Sequence, residues 1–329
     1  MKQKVIVYNK VDPTVIEYLE KTCEVQYFEY NDQLLNNPLF LKALSEAHAL
    51  LGSRMKVDSS FLELAPNLKI VSNISVGYDN FDIAEITNRG IMATNTPGVL
   101  NDTVADTIFA LMLATSRRVP EMVQNVRNGK WVKSNIDEEW FGVDVHHKTL
   151  GIIGLGGIGS ALAKRAHFGF DMNILYHNRS RNEEAERLYN ATYCSMEELL
   201  QNSDFVCVMV PLSKHTEKLI GKREFALMKN TAILINASRG KVIDEDALIE
   251  ALQQNEILGA GLDVFTQEPV AINNPLLSME NVVALPHIGS ATKETRTKMQ
   301  LLAAENVVEA LAGEIPKNLI NHELVLNKC

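Results

Sequence analysis

The sequence is poor in the features that mark several classes of protein. Its four cysteines, Cys23, Cys194, Cys207 and Cys329, are widely scattered among 329 residues. They show neither the paired spacing of a zinc site nor a disulfide framework. We therefore expect no metal site and a reducing, cytoplasmic environment. No apolar run reaches the roughly 18 residues that span a bilayer, and the opening MKQKVIVYNK is typical of a first strand rather than a signal peptide.

Positive charge is also in deficit. The chain has 32 Lys and Arg against 41 Asp and Glu, which gives a formal net charge of −9. A surface of that sign argues against nucleic acid or an anionic membrane as a partner. A chain of 329 residues is longer than a single hydrophobic core ordinarily accommodates, which favours two domains.

Short apolar runs alternate with helical patterns along both halves of the chain. Strands are predicted at 4–8, 25–28, 48–51, 68–72 and 90–94, and in a second series at 149–154, up to 176, 204–210, 231–236, 257–264 and 281–286. Strands that alternate with helices predict parallel sheets with helices on both faces. The fold class is therefore α/β, with two Rossmann-like or flavodoxin-like, doubly wound domains.

Four helices can be predicted from capping residues and periodicity. One covers Pro13 to Glu20 with Asp12 as its N-cap, and a mostly buried one begins near Asp102. A third spans 244–253, and Asp244 is its expected cap. The last runs from Thr292 to about Ala312, where Gly313 stops it.

The segment GLGGIG, Gly154 to Gly159, matches the pattern G-x-G-x-x-G. A buried strand precedes it and a helix follows, which is the context of a dinucleotide-binding turn rather than of a purely structural one. Gly154 permits the tight turn, Gly156 lets the backbone approach a pyrophosphate, and Gly159 lets helix and strand pack closely. The N–H groups at the helix start would hold the phosphates.

An acid that would bind the ribose hydroxyls of NAD is missing from the end of the next strand. Asp171 comes too early, and Glu183 and Glu184 come too late. The strand end carries Asn178, Arg179, Ser180 and Arg181 instead. Because a guanidinium pairs bidentately with phosphate, we expect NADP(H) to be preferred, with Arg179, Ser180 and Arg181 on its 2′-phosphate. NAD(H) is the alternative cofactor, and the segment would then be a solvated basic loop.

Three polar side chains follow three further strands. Arg239 lies in INASRG, Glu268 in LDVFTQEP and His287 in ALPHIGSAT. Ligands of open α/β sheets bind at the carboxyl ends of the strands. This set suits carbonyl reduction: Arg239 binds a substrate carboxylate and polarises the carbonyl, His287 donates a proton, and Glu268 keeps His287 protonated near neutral pH.

Five motifs in this order resemble the D-isomer-specific 2-hydroxyacid dehydrogenase family: GLGGIG, VPLSKHT (210–216), INASRG, GLDVFTQEP and PHIGSAT. The similarity covers nearly the whole chain. SNISVGYDNFD (72–82) and the basic loop look closest to bacterial glyoxylate/hydroxypyruvate reductases and 2-ketogluconate reductases. The resemblance implies NADPH-dependent reduction of glyoxylate, hydroxypyruvate or 2-ketogluconate to the D-2-hydroxy acid.

The resemblance also assigns roles to individual residues. Arg239 would be substrate-binding and catalytic, Glu268 the acidic partner, and His287 the acid/base in contact with substrate. Val76 and Gly77 would bind the substrate carboxylate through backbone N–H groups, and Ser75 would also contact the substrate. Further cofactor contacts would come from Thr103, Gly157, Ile158, Val210, Pro211, Thr216, Ala237, Ser238, Asp263 and Gly289.

The family topology inserts a nucleotide domain, 101–289, into a substrate domain made of 1–100 and 290–329. It also implies a homodimer, and segment 128–147 resembles the family's dimer-embracing arm. Trp131 and Trp140 would anchor that interface; alternatively, both tryptophans belong to the core of one subunit.

Two other readings of the function remain. One is a dinucleotide-sensing scaffold like the C-terminal-binding-protein corepressors, without physiological turnover. The other is an NAD-linked dehydrogenase of the D-lactate or D-3-phosphoglycerate type, which predicts an acid near position 177. Turnover of a 2-keto acid, and the cofactor used, would separate the three.

Overall fold

The structure is a computed structural model that describes residues 2–326. The chain folds into two compact units. The first combines the residues up to Leu100 with those from Thr292 onward, and the second, Asn101–Ala291, is inserted between them in the sequence. No helix within the described residues is long and apolar enough to cross a membrane.

The first unit is built on a five-stranded parallel sheet in the order β2-β1-β3-β4-β5. Its strands are β1 (Gln3–Val7), β2 (Cys23–Tyr27), β3 (Ala49–Gly52), β4 (Ile70–Asn73) and β5 (Met92–Thr94). Its first helices are α1 (Pro13–Glu20), α2 (Pro38–Glu46), α3 (Ser59–Glu63) and α4 (Ile83–Asn88). This is the flavodoxin-like strand order.

The second unit contains a seven-stranded sheet. Its strands are β6 (Thr149–Ile153), β7 (Asn173–His177), β8 (Thr192–Tyr193), β9 (Phe205–Val208), β10 (Ile233–Asn236), β11 (Gly259–Leu262) and β12 (Val282–Ala284). Its helices are α5 (Asn101–Ser116), α6 (Val119–Arg127), α7 (Gly157–Phe170), α8 (Glu183–Tyr189), α9 (Met196–Asn202), α10 (Lys222–Leu227) and α11 (Glu245–Gln253). The chain then returns to the first unit with α12 (Lys293–Leu311) and α13 (Glu323–Leu326).

The order β12-β11-β10-β9-β6-β7-β8, with every strand pair parallel, is the Rossmann order with one added strand. The predicted fold class is therefore confirmed. Every residue of β9, β10 and β11 is buried, as expected for parallel strands covered on both faces. The order reverses between β6 and β9, so the loops after these strands lie at the crevice where such sheets bind ligands.

The ends of helices α1, α11 and α12 test the capping residues predicted from the sequence. The carboxylate of Asp12 caps α1 by accepting from Thr14 N at 3.1 Å, as predicted. Helix α12 begins after Thr292, and Gly313 follows it with φ +87°, also as predicted. The expected side-chain cap of α11 is wrong: the carboxylate of Asp244 makes no capping bond and accepts from Lys218 Nζ at 3.1 Å instead.

Segment 128–147 is mostly irregular, with one short 3-10 turn at Glu138–Trp140. Trp131 is 56% exposed and Trp140 is half-buried. The alternative that both tryptophans belong to the core of one subunit is therefore wrong. Val132, Ile136 and Phe141 in the same segment are exposed as well.

Candidate functional site

The glycine-rich turn joins β6 to α7. Gly154 has φ +103°, and a Cβ there would lie 2.8 Å from the carbonyl carbon of Met209. A Cβ on Gly159 would lie 2.7 Å from the oxygen of Gly154, whereas a Cβ on Gly156 would meet nothing within 4 Å. Close packing thus explains the first and third glycines, and the space beside Gly156 is open. Because α7 begins without a side-chain cap, its first N–H groups suit an anion such as a pyrophosphate.

The loop after β7 is hydrogen-bonded to that turn through Leu155. Leu155 N donates to Asn178 Oδ1 at 2.6 Å, and Asn178 Nδ2 donates to Leu155 O at 3.2 Å. Asn182 Nδ2 donates to the same carbonyl at 3.0 Å. Asn178 therefore holds the turn in place. Asn182, which was not selected from the sequence, also stabilises the turn through its hydrogen bond to Leu155 O.

The two arginines of this loop have different surroundings. Arg179 and Ser180 are exposed, and no hydrogen bond or ion pair joins the Arg179 side chain to another of residues 2–326. Arg181 is paired with Glu186: its Nε lies 3.0 Å from Oε1 and its Nη2 lies 2.7 Å from Oε2. Of these two arginines, Arg179 alone carries a charge that no carboxylate among residues 2–326 pairs with, and it can offer that charge to an incoming phosphate.

Glu268 and His287 form a hydrogen-bonded pair. Nδ1 of His287 lies 2.7 Å from Oε2 of Glu268, and Phe265 N donates to Oε1 at 3.2 Å. Burial favours a higher pKa for Glu268, but the bond and charge of His287, the N–H of Phe265 and the charge of Arg239 outweigh it and lower that pKa. Because an ionised carboxylate only accepts, Nδ1 carries a proton and Nε2 is the nitrogen left for a ligand.

Asp263 fixes the loop that carries His287. Its side chain is buried and accepts from Ile288 N at 2.7 Å and from Gly289 N at 2.8 Å. Burial raises the pKa of Asp263, and the two N–H bonds only partly offset that effect. His287 itself has φ +55°, a left-handed conformation that is uncommon outside glycine and that the neighbouring bonds hold in place.

Arg239 follows β10 in a loop that packs closely on the loop after β11. Asn236 Nδ2 donates to Arg239 O at 3.0 Å, and Arg239 Nη1 donates to Ser238 O at 2.8 Å. A Cβ on Gly240 would lie 1.9 Å from the carbonyl carbon of Phe265. Gly240 was not predicted from the sequence, although its place directly after Arg239 was a signal. This contact places the loop of Arg239 against the loop that carries Glu268, and the bond between Glu268 and His287 joins His287 to the same edge of the sheet.

The other predicted cofactor residues of the second unit lie in the loops after β9, β10 and β12 and in the first turns of α5 and α7. Thr216 Oγ1 donates to Pro211 O at 2.6 Å and thereby closes the turn that follows β9 and Val210. Ser238 Oγ and N both donate to Asn236 Oδ1, and these bonds close the short turn that contains Ala237. Thr107 Oγ1 lies 3.2 Å from Thr103 O and 3.4 Å from Gly289 O. Gly157 and Ile158 form the first turn of α7.

In the first unit, the loop after β4 presents backbone donors. The carbonyl oxygens of Ser75, Val76 and Gly77 accept from Thr96 N at 3.0 Å, Asn95 Nδ2 at 2.8 Å and Asn73 Nδ2 at 2.7 Å, respectively. The N–H groups of Val76 and Gly77 donate to no hydrogen-bond acceptor within residues 2–326. Two adjacent N–H donors of this kind suit a carboxylate.

Comparisons with known proteins agree on the family. The family described as "D-isomer specific 2-hydroxyacid dehydrogenase, NAD binding domain" matches residues 109–289. The glyoxylate/hydroxypyruvate reductase B of Yersinia pestis (strain Pestoides F) is 49% identical over 328 residues, which cover 99% of each chain.

Two solved structures share the fold and differ in cofactor. The NADPH-dependent glyoxylate/hydroxypyruvate reductase of Sinorhizobium meliloti, in complex with NADP and malonate, has a TM-score of 0.86 and 32% identity, covering 97% of each chain. The D-lactate dehydrogenase of Aquifex aeolicus, complexed with NAD and lactic acid, has a TM-score of 0.87 and 26% identity, covering 97% of this chain and 99% of that one. The overall fold therefore does not decide between the two cofactors, and the choice depends on local residues.

Proposed function

Because the chain belongs to the D-isomer-specific 2-hydroxyacid dehydrogenase family and is an oxidoreductase of that family, we propose that it reduces a small 2-keto acid to the D-2-hydroxy acid with NADPH. The substrates proposed are glyoxylate and hydroxypyruvate, with 2-ketogluconate as a third. The observation that carries the proposal is the 2.7 Å pair of Glu268 and His287 at the sheet edge that also holds Arg239 and the glycine-rich turn.

The residues act on the substrate in distinct ways. When bound, the dinucleotide supplies the hydride that reduces the keto carbon. Nε2 of His287 donates a proton to the carbonyl oxygen, while Glu268 holds Nδ1–H and stabilises the charged imidazole. The Arg239 guanidinium binds the substrate carboxylate and polarises the carbonyl. Within the first unit, the N–H groups of Val76 and Gly77 are the backbone donors proposed to bind a carboxylate.

The preference for NADPH rests on the loop after β7. Arg179 is exposed and unpaired within the described chain, and Ser180 beside it adds a hydroxyl donor. An acid there would bind the ribose hydroxyls and repel a phosphate, and none occupies positions 178–181. In this assignment the glycine-rich turn holds the pyrophosphate, and residues 101–289 serve as the nucleotide domain.

We also propose a homodimer in which the arm 128–147 contributes to the interface. Its support is the exposed apolar surface of Trp131, Val132, Ile136 and Phe141. Light scattering should give a dimer for the wild type, and Trp131→Ala should shift the protein toward monomer. A wild-type monomer would refute this part of the proposal alone.

Turnover by the purified protein tests the main proposal. Reduction of glyoxylate, hydroxypyruvate and 2-ketogluconate should be followed through the absorbance of the reduced nicotinamide, and the configuration of the glycerate or gluconate formed should be determined. D-Glycerate is expected from hydroxypyruvate, and D-gluconate rather than its C2 epimer D-mannonate is expected from 2-ketogluconate. Tight dinucleotide binding without turnover of any of the three acids would support the sensing scaffold instead.

A further inference from the structure

Glu186, on the first turn of α8, is held from two sides. Its carboxylate accepts hydrogen bonds from both Nε and Nη2 of Arg181, at 3.0 and 2.7 Å. The hydroxyl of Tyr176 donates to the same Oε1 at 2.5 Å and accepts from Asn182 N at 2.8 Å. Because the Tyr176 side chain is fully buried in β7, the carboxylate is fixed from the interior of the unit.

The pair occupies only one edge of the Arg181 guanidinium. An arginine carries five N–H donors in a planar fork, and Glu186 uses the edge formed by Nε and Nη2. The edge that includes Nη1 remains, and the Arg181 side chain is 61% exposed. Its guanidinium carbon also lies 5.8 Å from the centre of the Tyr193 ring. Arg181 can therefore bind a phosphate while it stays paired with Glu186.

The position of α8 is also coupled to the glycine-rich turn. Asn182 caps α8 by accepting from Ala185 N at 3.1 Å, and its amide donates to Leu155 O at 3.0 Å within the turn. The group that orients Arg181 and the group that would hold the pyrophosphate are thus parts of one hydrogen-bonded unit. Such coupling sets the distance between the protein groups that would bind the pyrophosphate and the 2′-phosphate of the same dinucleotide.

We propose that Glu186 is a positioning residue for cofactor selection. It orients Arg181 so that the Nη1 edge of the guanidinium binds the 2′-phosphate of NADP(H), while Arg179 supplies the uncompensated charge. The inference rests on the proposed use of NADPH. A free arginine would lose its rotamer freedom on binding the phosphate, whereas Glu186 has already restricted that freedom.

Charge repulsion and positioning predict opposite effects on NADP⁺ binding when Glu186 is removed. Glu186 is an anion near a proposed phosphate site, so simple repulsion predicts that its removal tightens NADP⁺ binding. Positioning predicts the opposite. Glu184 provides the matched control, because it lies on the same helix, is exposed, and makes no hydrogen bond or ion pair to another of the described residues.

Binding of NADP⁺ and NAD⁺ should be measured by titration calorimetry for the wild type, Glu186→Gln and Glu184→Gln. Glutamine keeps the shape but presents one acceptor where the guanidinium needs two. We expect Glu186→Gln to weaken NADP⁺ binding roughly three- to fivefold, the upper part of the range for an exposed ion pair. Its NAD⁺ binding should stay at the wild-type value, which also reports correct folding, and Glu184→Gln should bind NADP⁺ at least as tightly as the wild type.

Tyr176→Phe supplies a second variant. It removes the hydroxyl that holds Glu186 and that also accepts from Asn182 N, and it leaves Glu186 paired with Arg181, so NADP⁺ binding should weaken in the same direction and by less. If Glu186→Gln binds NADP⁺ as tightly as the wild type or more tightly, the positioning role is refuted while the proposed function stands. If the wild type binds NADP⁺ no better than NAD⁺, both the positioning role and the NADPH preference fail. If it binds neither dinucleotide, the proposed function fails with them.

Discussion

Nδ1 of His287 lies 2.7 Å from Oε2 of Glu268, and this contact determines which nitrogen of the imidazole can react. The lowered pKa of Glu268 keeps the carboxylate ionised at neutral pH. The carboxylate therefore accepts from Nδ1–H, and only Nε2 can exchange a proton with a substrate.

His287→Gln should abolish the proton donor while preserving the volume of the side chain. Because general acid catalysis contributes about 10²- to 10⁴-fold, kcat for hydroxypyruvate should fall by that factor. The dissociation constant of NADP⁺, measured by calorimetry, should stay close to the wild-type value because the glycine-rich turn is untouched. A nearly normal kcat would refute the assigned role of His287.

The Glu268–His287 pair should make stability depend on pH in the acid range. The folded-state pKa of Glu268 is lowered from its ordinary value of 4.5. The contribution of its pair is therefore fully present above that ordinary value and is lost as the pH falls through the folded value. Glu268→Gln should be less stable than the wild type near about pH 6, and the difference should shrink toward about pH 3.

Urea titrations of both proteins across that range would give the free energies of unfolding. Glu184→Gln is the matched control, since its carboxyl makes no bond to another described residue and its stability difference should be small throughout. A stability difference for Glu268→Gln that grows as the pH falls would contradict the assigned sign.

Much of the fold follows from local signals in the sequence. The continuous apolar runs at 205–208 and 233–235 mark strands buried on both faces, and Asp12 and Thr292 mark helix starts by their capping chemistry. The lack of a capping bond from the Asp244 side chain could not be predicted, because Lys218 lies in another segment and becomes its neighbour only through the tertiary fold.

Two glycine substitutions should separate packing from cofactor binding. A Cβ on Gly240 would lie 1.9 Å from backbone carbon, so Gly240→Ala should destabilise the fold by about 1–3 kcal/mol or more. A Cβ on Gly156 meets no protein atom within 4 Å. Gly156→Ala should therefore keep wild-type stability and weaken binding of both NADP⁺ and NAD⁺, because the methyl group enters the proposed pyrophosphate site.

Thermal unfolding and calorimetry would measure both effects. Unchanged dinucleotide binding by Gly156→Ala would mean that the pyrophosphate does not approach this glycine.

Arg179→Ala tests the uncompensated cation of the loop after β7. A hydrogen bond to a charged group contributes about 1.5–3 kcal/mol, so the dissociation constant of NADP⁺ should rise by roughly 10- to 100-fold. That of NAD⁺ should not change. Arg187→Ala removes the same charge from an exposed site on α8 and should leave both constants near wild type. Equal weakening by the two variants would indicate a long-range charge effect rather than a phosphate contact.

The candidate site was only partly predictable for the same physical reason as the fold. Strand-end positions identified Arg239, Glu268 and His287 because residue type and topology suffice there. The difference between Arg179 and Arg181 depends on a carboxylate five residues further on, at Glu186, whose direction is set by helix α8 and the buried Tyr176. The need for glycine at 240 likewise depends on how closely two loops approach each other.

We propose that this chain is an NADPH-dependent 2-keto acid reductase. The most direct test is steady-state reduction of hydroxypyruvate and glyoxylate at saturating acid, with NADPH and NADH titrated separately. We predict a kcat/KM for NADPH at least about tenfold above that for NADH, which corresponds to about 1.4 kcal/mol of discrimination. Equal or better use of NADH would contradict the assignment of Arg179, Ser180 and Arg181 to a 2′-phosphate.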